Sequence, residues 1–418
     1  MTHTAAGPTR LQLARVALSW LAEPGNESVH RLVAAVGPVA ALAQVCDGPW
    51  GDDSTRNAVV ARLATADPLE VAAGAVDRAT RAGARLVTPE DPHWPHQVED
   101  LTRLTRRGHH PDGVPASHRD SAPPLLLWVR GPWPLGETLA SSVAVVGTRA
   151  PTEYGRHVGG EFGHGLAERG WTIVSGGAYG IDTCAHRGAL VAGGRTVAVL
   201  AGGVDRPYPT GNAALFDQIA ETGLLISEWL PGAEPLRHRF LTRNRLIAAA
   251  TAGTVVVEAG ARSGAAQTVR RALALGRATM VVPGPITSAT SVGCHEILRD
   301  HPQARLVAGV AHVQEEIGRI GVDLAPPPRG PQRPRDGLDP PAMRILEAVP
   351  GRGGIGLDEL AGRAGVDIRT AMRTVSMLQT QGLLVGADGR FRLPPRTAVD
   401  ADRRGGLTAP GGEPMVEP

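Results

Sequence analysis

The sequence predicts an α/β protein with a Rossmann-like parallel sheet at its centre, a small helical domain before it and a winged helix after it. Three observations lead to this fold class. Short Val/Ile/Leu runs alternate with helix-length segments from residue 141 onward. These runs are apolar throughout, which is typical of parallel strands covered by helices on both faces. Purely helical patterns precede this region, and three helices with a hairpin follow it.

The first predicted domain is helical and spans residues 1–88. Apolar residues recur at helical spacing in LQLARVALSWLAEP, SVHRLVAAVGPVAALAQVC and PLEVAAGAVDRATRAG, and each segment ends near Gly or Pro. The stretch VAAVGPVAALA is similar to the helix-turn-helix of SAM or helix-hairpin-helix modules. Because it carries little positive charge, packing or partner contact is a better prediction for it than nucleic-acid binding.

Residues 89–140 predict a connecting strand and a mobile insertion. The stretch RLTRRGHHPDGVPASHRDSAPP is polar and contains proline, and PLLLWVRG then restarts a strand. The adjacent His109 and His110 lie in this insertion. Without further ligands nearby they do not predict a metal site.

The central domain spans residues 141–320, and a different composition follows it. Its predicted strands are SSVAVVG, WTIVSGG, RTVAVLAGG, GLLISE, TAGTVVVEAG and RATMVVPG. Residues 321–337 have the composition of an extended linker. Residues 338–394 predict a winged helix whose hairpin turn holds Asp388 and Gly389. The polar, Gly/Pro-rich residues 395–418 predict a disordered tail.

Composition limits the chemistry and the compartment. All 43 Lys+Arg positions are arginine, so every cationic site is built from guanidinium groups, which grip phosphate oxygens in pairs. The formal charge of +2 excludes a polybasic protein. Three scattered cysteines argue against disulfides and structural zinc. No charged leader and no uncharged 18-residue stretch is found, so we predict a cytoplasmic protein without a membrane partner.

Three small-residue turns follow predicted strands, at the edge where parallel sheets bind ligands. They are Gly147-Thr148-Arg149, SGGAYGID at residues 175–182 and EAGARSGAAQT at residues 258–268. All three fit an anion site, although each glycine turn could equally serve strand-to-helix packing. Neither GxGxxG nor a P-loop is present, so no dinucleotide or NTP cofactor is predicted.

The stretch RHRFLTRNR at residues 237–245 holds four arginines, a histidine and a phenylalanine, with no acid. We expect its RNR segment to lie at a helix start, where the dipole repels arginines unless an anion lies between them. The alternative is a solvated charge run. A chain of phosphates would bind several arginine side chains at once. The candidates are Arg149, Arg187, Arg243 and Arg245. Phe240 stacks a base or, alternatively, belongs to the core.

Six collinear motifs resemble those of the DNA-processing protein A family, DprA, also called Smf. They are VAVVGTRAPTEYG, GWTIVSGGAYGIDTCAHRGAL, GGRTVAVLAGGVDRPYP, LLISEW, FLTRNRLIA and VVPGPITSATSVG, and they span residues 141–310. The resemblance implies a non-enzymatic protein that binds single-stranded DNA, dimerises and loads the recombinase RecA during natural transformation. The family's SGS-L-x-T segment is SGAAQTV here, and His295 stands where Asn is usual.

The resemblance and the turns together predict one DNA-binding site without catalytic residue, metal or cofactor. In the family the first-strand glycine, hydroxyl residue and arginine line the DNA pocket, and a basic residue follows the AH pair. The candidate residues are Gly147, Thr148, Arg149, Ser175, Gly176, Gly177, Gly180, Arg187, Phe240, Arg243, Asn244, Arg245, Ser263 and Gly264.

Two other function classes remain open on these grounds. A nucleotide-binding or nucleoside-monophosphate-cleaving Rossmann enzyme would use Glu258, although the sequence lacks the double glycine and downstream acid of such sites. Asp182 and His186 fit helix capping and local packing better than an acid/base pair. A transcription factor is suggested by the winged helix. Its recognition helix carries only Arg369 and Arg373, which favours an accessory DNA or partner surface.

Overall fold

The computed structural model describes residues 7–48, 50–51, 53–106, 121–261, 263–319, 322–326 and 335–394. The chain forms two compact units, residues 1–326 and residues 327–418. His109 and His110, most of the predicted linker and the predicted tail lie outside the described residues. The finer division at residues 88, 140 and 320 stays a prediction.

Five helices come before the first strand in the described part of the chain. Their starts follow local rules: Thr9 forms a capping box with Gln12, and Asp67 caps a helix whose first residue is Pro68. They bury Ala, Val and Leu side chains in one cluster, as the helical spacing predicts. The helices are α1 (Arg10–Leu21), α2 (Glu27–Val36), α3 (Pro38–Asp47), α4 (Asp53–Leu63) and α5 (Pro68–Arg81).

A nine-stranded sheet forms the centre of the first unit, in the order β1-β2-β6-β5-β4-β3-β7-β8-β9. The seven strands from β6 to β9 in this order are parallel, whereas β2 pairs antiparallel with both β1 and β6. The strands are β1 (Ala84–Val87), β2 (Leu127–Arg130), β3 (Ser142–Val146), β4 (Thr172–Ser175), β5 (Thr196–Val199), β6 (Leu224–Ser227), β7 (Gly253–Val256), β8 (Ala278–Val281) and β9 (Arg305–Leu306).

Helices cover both faces of this sheet, as the continuous apolar strands predict. On β3, Val143 and Val145 pack into one core cluster while Ala144 and Val146 pack into another. Two 3₁₀ segments, 96–101 and 210–212, lie among the helices. The helices are α6 (Thr102–Arg106), α7 (Leu135–Ala140), α8 (Glu153–Glu168), α9 (Ile181–Val191), α10 (Ala213–Thr222), α11 (Arg237–Ala249), α12 (Gly264–Ala274), α13 (Val292–Asp300) and α14 (Val310–Ile317).

The helix that carries the basic stretch begins earlier than predicted. Helix α11 starts at Arg237, directly after Leu236, so the RNR segment lies in the middle of the helix and not at its start. The dipole argument therefore applies to Arg237. The prediction for the RNR segment was wrong because Pro235, rather than the later apolar run, marks where the helix can begin.

Within residues 335–394, the second unit contains three helices and a three-stranded antiparallel sheet in the order β10-β12-β11. Asp388 and Gly389 both have positive φ, 50° and 72°, which is the conformation of a tight hairpin turn, as predicted. The winged-helix assignment stays a prediction. The elements are α15 (Pro340–Ala348), β10 (Ile355–Gly356), α16 (Leu357–Ala364), α17 (Ile368–Thr380), β11 (Val385–Ala387) and β12 (Arg390–Arg392).

None of the helices in the described ranges has both the length and the apolar character needed to span a membrane.

Candidate nucleic-acid interface

A cleft of about 930 Å³ opens at the carboxyl edge of the parallel strands. The chain runs from β3 to β6 on one side of β3 and continues with β7 to β9 on the other. The boundary between β3 and β7 is therefore a topological switch point, where open α/β sheets bind their ligands. The cleft is lined by the turn after β3 (146–149), Ala178, Asp182, Tyr208, α11 with the preceding Pro235, and, around the start of α12, Gly260, Ala261, Ser263, Gly264, Ala265 and Thr268.

The charged side chains that line the cleft are mostly cationic. Within the described residues, Arg149, Arg237 and Arg243 line it, with Asp182 as the single carboxylate. Arg149 and Arg237 are exposed, so their guanidinium groups are accessible to a ligand. The cleft therefore offers a net positive site of the kind that a phosphate chain neutralises.

Arg243 lies at the floor of the cleft and is only 4% exposed. Its Nη1 donates to the carbonyl oxygens of Gly176, at 2.8 Å, and Val199, and its Nε donates to Asn244 at 3.2 Å. Burial lowers the pKa of Arg243 to about 10, and the nearby Asp182 opposes that shift. The guanidinium stays charged at neutral pH, so Arg243 contributes a fixed positive charge to the cleft.

Arg245 is not a phosphate contact, which corrects the prediction. Its side chain is 0% exposed, and its Nη2 donates to the carboxylate of Glu228 at 2.7 Å. Arg243 and Arg245 are two positions apart on one helix, about 200° around its axis, so they point to opposite sides. The sequence places both arginines in one motif, but the helix brings only Arg243 to the cleft.

Phe240 forms part of the cleft wall, close to two cations. The guanidinium carbons of Arg149 and Arg243 lie 5.5 and 5.9 Å from its ring centroid. The ring of Tyr208 meets it edge-on, with centroids 5.9 Å apart. Because Phe240 is half-buried and lines the cleft, it is placed to contact a ligand rather than confined to the core.

The SGGAYGID turn is not an open anion site, because the chain's own carboxylate fills it. The amides of Gly176 and Ala178 donate to one carboxylate oxygen of Asp182, at 3.1 and 3.3 Å. Burial raises the pKa of Asp182, while Arg243 opposes the shift. Asp182 does not cap α9 as predicted: the cap residue is Gly180, and Asp182 holds the preceding turn instead.

His186 bonds locally, as predicted. It is fully buried, and its Nδ1 lies 2.7 Å from the hydroxyl of Thr196. Burial lowers the pKa of His186 to about 3, so the ring is neutral at physiological pH. The structure therefore gives it no role as an acid/base partner of Asp182.

The predicted glycines of the first two turns serve close packing around the cleft. A Cβ on Gly147 would collide with the side chain of Ile181, and one on Gly180 would collide with the carbonyl of Thr148. Gly177 has a φ of 68° and lies against the ring of Phe216. Ser175 is buried and donates to the carbonyl of Val145 at 2.7 Å. These positions shape the cleft, and only Gly147 lines it.

The start of α12 forms a further part of the cleft wall, next to α11. Ser263 caps this helix by accepting a hydrogen bond from the amide of Ala265 at 3.2 Å. Gly264 is exposed with open space beside its Cα, and its carbonyl accepts from Asn244 at 3.4 Å. Thr148, Asn244, Ser263 and Gly264 are thus brought together as predicted.

Arg187 is not brought to the cleft. It is exposed, but it lies in α9 about 9 Å along the axis from the first residue of that helix, and it is not among the lining residues. The family-based expectation for Arg187 therefore has no support from the cleft geometry.

Glu258 ties two loops together behind the cleft. It is 1% exposed and accepts from the amide and hydroxyl of Thr152, at 2.9 and 2.6 Å, and from the hydroxyl of Thr290 at 3.0 Å. Its own carbonyl accepts from the amide of Thr148 at 2.7 Å. The carboxylate is engaged in fixing these loops and does not line the cleft.

Among the lining residues that the predicted site set lacks, Arg237 and Tyr208 carry a cation and an aromatic ring. Arg237 is the first residue of the basic stretch, and a correct helix start would have marked it. Tyr208 belongs to the motif GGVDRPYP, where an aromatic residue in a polar loop was the available signal. Within the described part of the chain, no three His, Cys, Asp or Glu side chains are grouped so that they could hold a metal ion.

Comparison with known proteins adds an independent finding. Residues 85–318 match the family model described as DNA recombination-mediator protein A. A Mycobacterium tuberculosis relative, assigned as a DNA processing protein DprA, is 43% identical over 388 residues, covering 93% of this chain and 96% of the relative. The DNA processing protein DprA of Streptococcus pneumoniae is 42% identical over 194 residues, covering 46% of this chain and 67% of the relative.

A solved structure shows the same likeness. The X-ray structure of DNA processing protein A from Streptococcus pneumoniae matches with a TM-score of 0.58 and 29% sequence identity, covering 74% of this chain and 99% of that chain.

Proposed function

This chain belongs to the DNA recombination-mediator protein A family, and on that premise we propose that it binds single-stranded DNA in the cleft at the β3/β7 switch point. The observation that carries the proposal is the pairing of accessible cations with an aromatic wall. Arg149 and Arg237 are exposed at the cleft, and Arg149 lies over the ring of Phe240. Phosphates neutralise such cations, and an unpaired base stacks on such a ring.

The same pairing favours a single strand over a duplex. Bases in a duplex are stacked on one another, so an aromatic side chain in a cleft cannot use their faces unless the strand is unpaired. Contacts to phosphates position the strand but carry little sequence information. We therefore expect a protein that prefers single strands and tolerates any base sequence.

The proposed function involves no chemical step on the DNA. Glu258, the carboxylate that a nucleotide-cleaving enzyme would use, is bonded to Thr152 and Thr290 and lies behind the cleft wall. The contacts of Glu258 support a structural role. They give no support to the alternative of a nucleoside-monophosphate-cleaving enzyme.

The remaining parts of the proposal follow from the family resemblance. We propose that the protein is cytoplasmic, acts as a homodimer, protects incoming DNA and loads RecA in natural transformation and recombination. Residues 338–394 would then be an accessory DNA or partner surface, so a chain lacking residues 336–418 should retain most of its single-strand binding.

The test is a titration of a labelled 20-nucleotide strand by fluorescence anisotropy, repeated between 50 and 200 mM salt and in competition with a duplex. We expect the affinity to fall with salt with a slope of about −0.7 per neutralised phosphate. Arg149→Ala should weaken binding about tenfold and reduce the slope by about one phosphate. Arg299→Ala is the matched control, because Arg299 is an exposed arginine on α13 that does not line the cleft.

Two results would overturn the proposal. Binding to the duplex that equals binding to the strand would contradict the aromatic part of the argument. An Arg149→Ala variant that behaves like Arg299→Ala would contradict the location of the site. Arg187→Ala tests the family-based expectation separately, because a loss comparable to that of Arg149→Ala would show that the strand extends over α9.

A further inference from the structure

Two tyrosines with about half of their surface exposed lie at or beside the cleft. Tyr179 is 50% exposed on the turn between β4 and α9, next to Ala178, which lines the cleft. Tyr208 is 48% exposed and lines the cleft itself. Only three tyrosines and four phenylalanines occur in 418 residues, so two exposed rings beside one cleft are a specific feature.

The side chain of Tyr179 packs against Gly211, in the space that a side chain at position 211 would fill. Its ring atoms Cε1 and Cζ lie 3.3 Å from the place where a Cβ would stand on Gly211, and the hydroxyl is closer still. Any side chain at position 211 would therefore displace the ring. One part of the tyrosine is supported by backbone while half of its surface stays open to solvent.

Hydrogen bonds of Asn212 connect the two segments that carry the tyrosines. The side-chain amide of Asn212 donates to the carbonyl of Gly177 at 3.0 Å and to the hydroxyl of Thr183 at 2.9 Å. These bonds fasten the segment that carries Tyr208 to the turn that carries Tyr179. Asn212 is buried, so water does not compete for these bonds. Preorganised rings of this kind lose little conformational entropy when a ligand stacks on them.

The contacts continue from these two segments to the aromatic wall of the cleft. Tyr179 contacts Gly211, three residues beyond Tyr208, and Tyr208 meets Phe240 edge-on at 5.9 Å. Phe240 in turn lies beneath Arg149. Tyr208 and Phe240 thus form a pair of rings in the cleft, and Gly211 connects the segment that carries Tyr208 to Tyr179 on the turn after β4.

We propose that Tyr179 and Tyr208 form a second base-stacking surface, which takes up unpaired nucleobases of the strand next to the base at Phe240. The inference rests on the proposed function and extends its site beyond the cleft. The ligand class is an unpaired nucleobase of any type, because every base has a face on which an aromatic ring can stack. The phosphates of the same strand lie on Arg149 and Arg237.

The experiment combines side-chain removal with base removal in the full-length chain. Wild type, Tyr179→Ala and Tyr179→Phe are titrated with labelled (dT)20 and with a 20-mer of abasic sites that has the same number of phosphates. Tyr179→Ala should bind (dT)20 at least about fivefold more weakly than wild type, whereas Tyr179→Phe should bind it like wild type. On the abasic strand, all three proteins should bind equally.

A matched control and a salt series distinguish the loss of a stacking contact from the loss of a phosphate contact or of the fold. Tyr154→Ala removes a tyrosine that is 41% exposed on α8 and does not line the cleft, and it should bind (dT)20 like wild type. Thermal melting confirms that each variant is folded. The salt slope should be unchanged in Tyr179→Ala, because no phosphate contact is removed.

The outcomes that refute the inference differ from those that refute the proposed function. If Tyr179→Ala binds (dT)20 as wild type does, or loses equal affinity for the abasic strand, Tyr179 does not stack on a base. If wild type itself binds neither strand in a salt-dependent manner, the proposed function fails first. A folded Tyr208→Ala variant gives a second reading, because it should show the same loss on (dT)20 alone.

Discussion

Replacing Arg245 with methionine is expected to destabilise the unit of residues 1–326 by about 3–5 kcal/mol without removing a DNA contact. Arg245 is 0% exposed and Glu228 is 3% exposed, and their charged groups lie 2.7 Å apart. The substitution takes the guanidinium away and leaves a buried carboxylate without this cation, which is the costly way to break a buried ion pair.

The effect on thermal unfolding can be worked out from the size of the unit. An unfolding entropy of about 2.1 cal/mol/K per residue gives about 0.7 kcal/mol/K for 326 residues, so the midpoint should fall by about 4–7 °C. A double variant, Arg245→Met with Glu228→Gln, removes both charges and should recover most of the loss.

The assay pairs calorimetry with strand binding measured well below the midpoint. Folded Arg245→Met should bind single-stranded DNA like wild type, whereas Arg149→Ala should not. The reasoning would be refuted if Arg245→Met melted like wild type, or if it stayed folded and lost as much affinity as Arg149→Ala.

Three further predictions concern the support of the cleft. Gly176→Ala places a methyl group against the guanidinium of Arg243, so it should cost about 1–3 kcal/mol in stability and weaken strand binding, as melting and anisotropy will show. Glu258→Ala removes the acceptor for Thr152 and should lower the free energy of unfolding by about 1–3 kcal/mol. In a colorimetric assay, the wild-type protein should release no ribose phosphate from a nucleotide. Burial lowers the pKa of His186 from 6.5 to about 3. The contribution of His186 to the free energy of unfolding is therefore fully present above pH 6.5 and is lost as the pH falls toward 3. Between pH 7 and pH 5, this group should lower the free energy of unfolding measured by denaturant titration by about 2 kcal/mol. A folded His186→Gln variant should lack that part of the decrease.

The strands and most of the helices could be read from local patterns. The run SSVAVVG became β3 and TAGTVVVEAG became β7 because an apolar run bounded by glycine and small residues has few alternatives to a buried strand. The turns after these strands lie at one edge because all parallel strands point the same way. The sequence therefore placed Thr148, Arg149, Ser263 and Gly264 at the edge of the sheet where the cleft lies.

The errors came from side-chain direction and from long-range partners. Arg243 and Arg245 share a motif, but the start of α11 decides which of them faces the cleft. The turn at residues 175–182 was predicted to bind an external anion, yet Asp182 folds back into it. A carboxylate four to six residues away cannot be assigned to that turn until the backbone path is known.

The α/β class, the succession of strands along the chain and the lysine-free, cationic chemistry of the site follow from residue type and local spacing. Which of the charges a ligand can reach depends on the folded chain. Arg149 and Arg237 stay exposed, while Arg245 is neutralised by Glu228, a partner 17 positions earlier in the chain. Availability is set by burial and pairing across the fold, and no window of sequence contains that information.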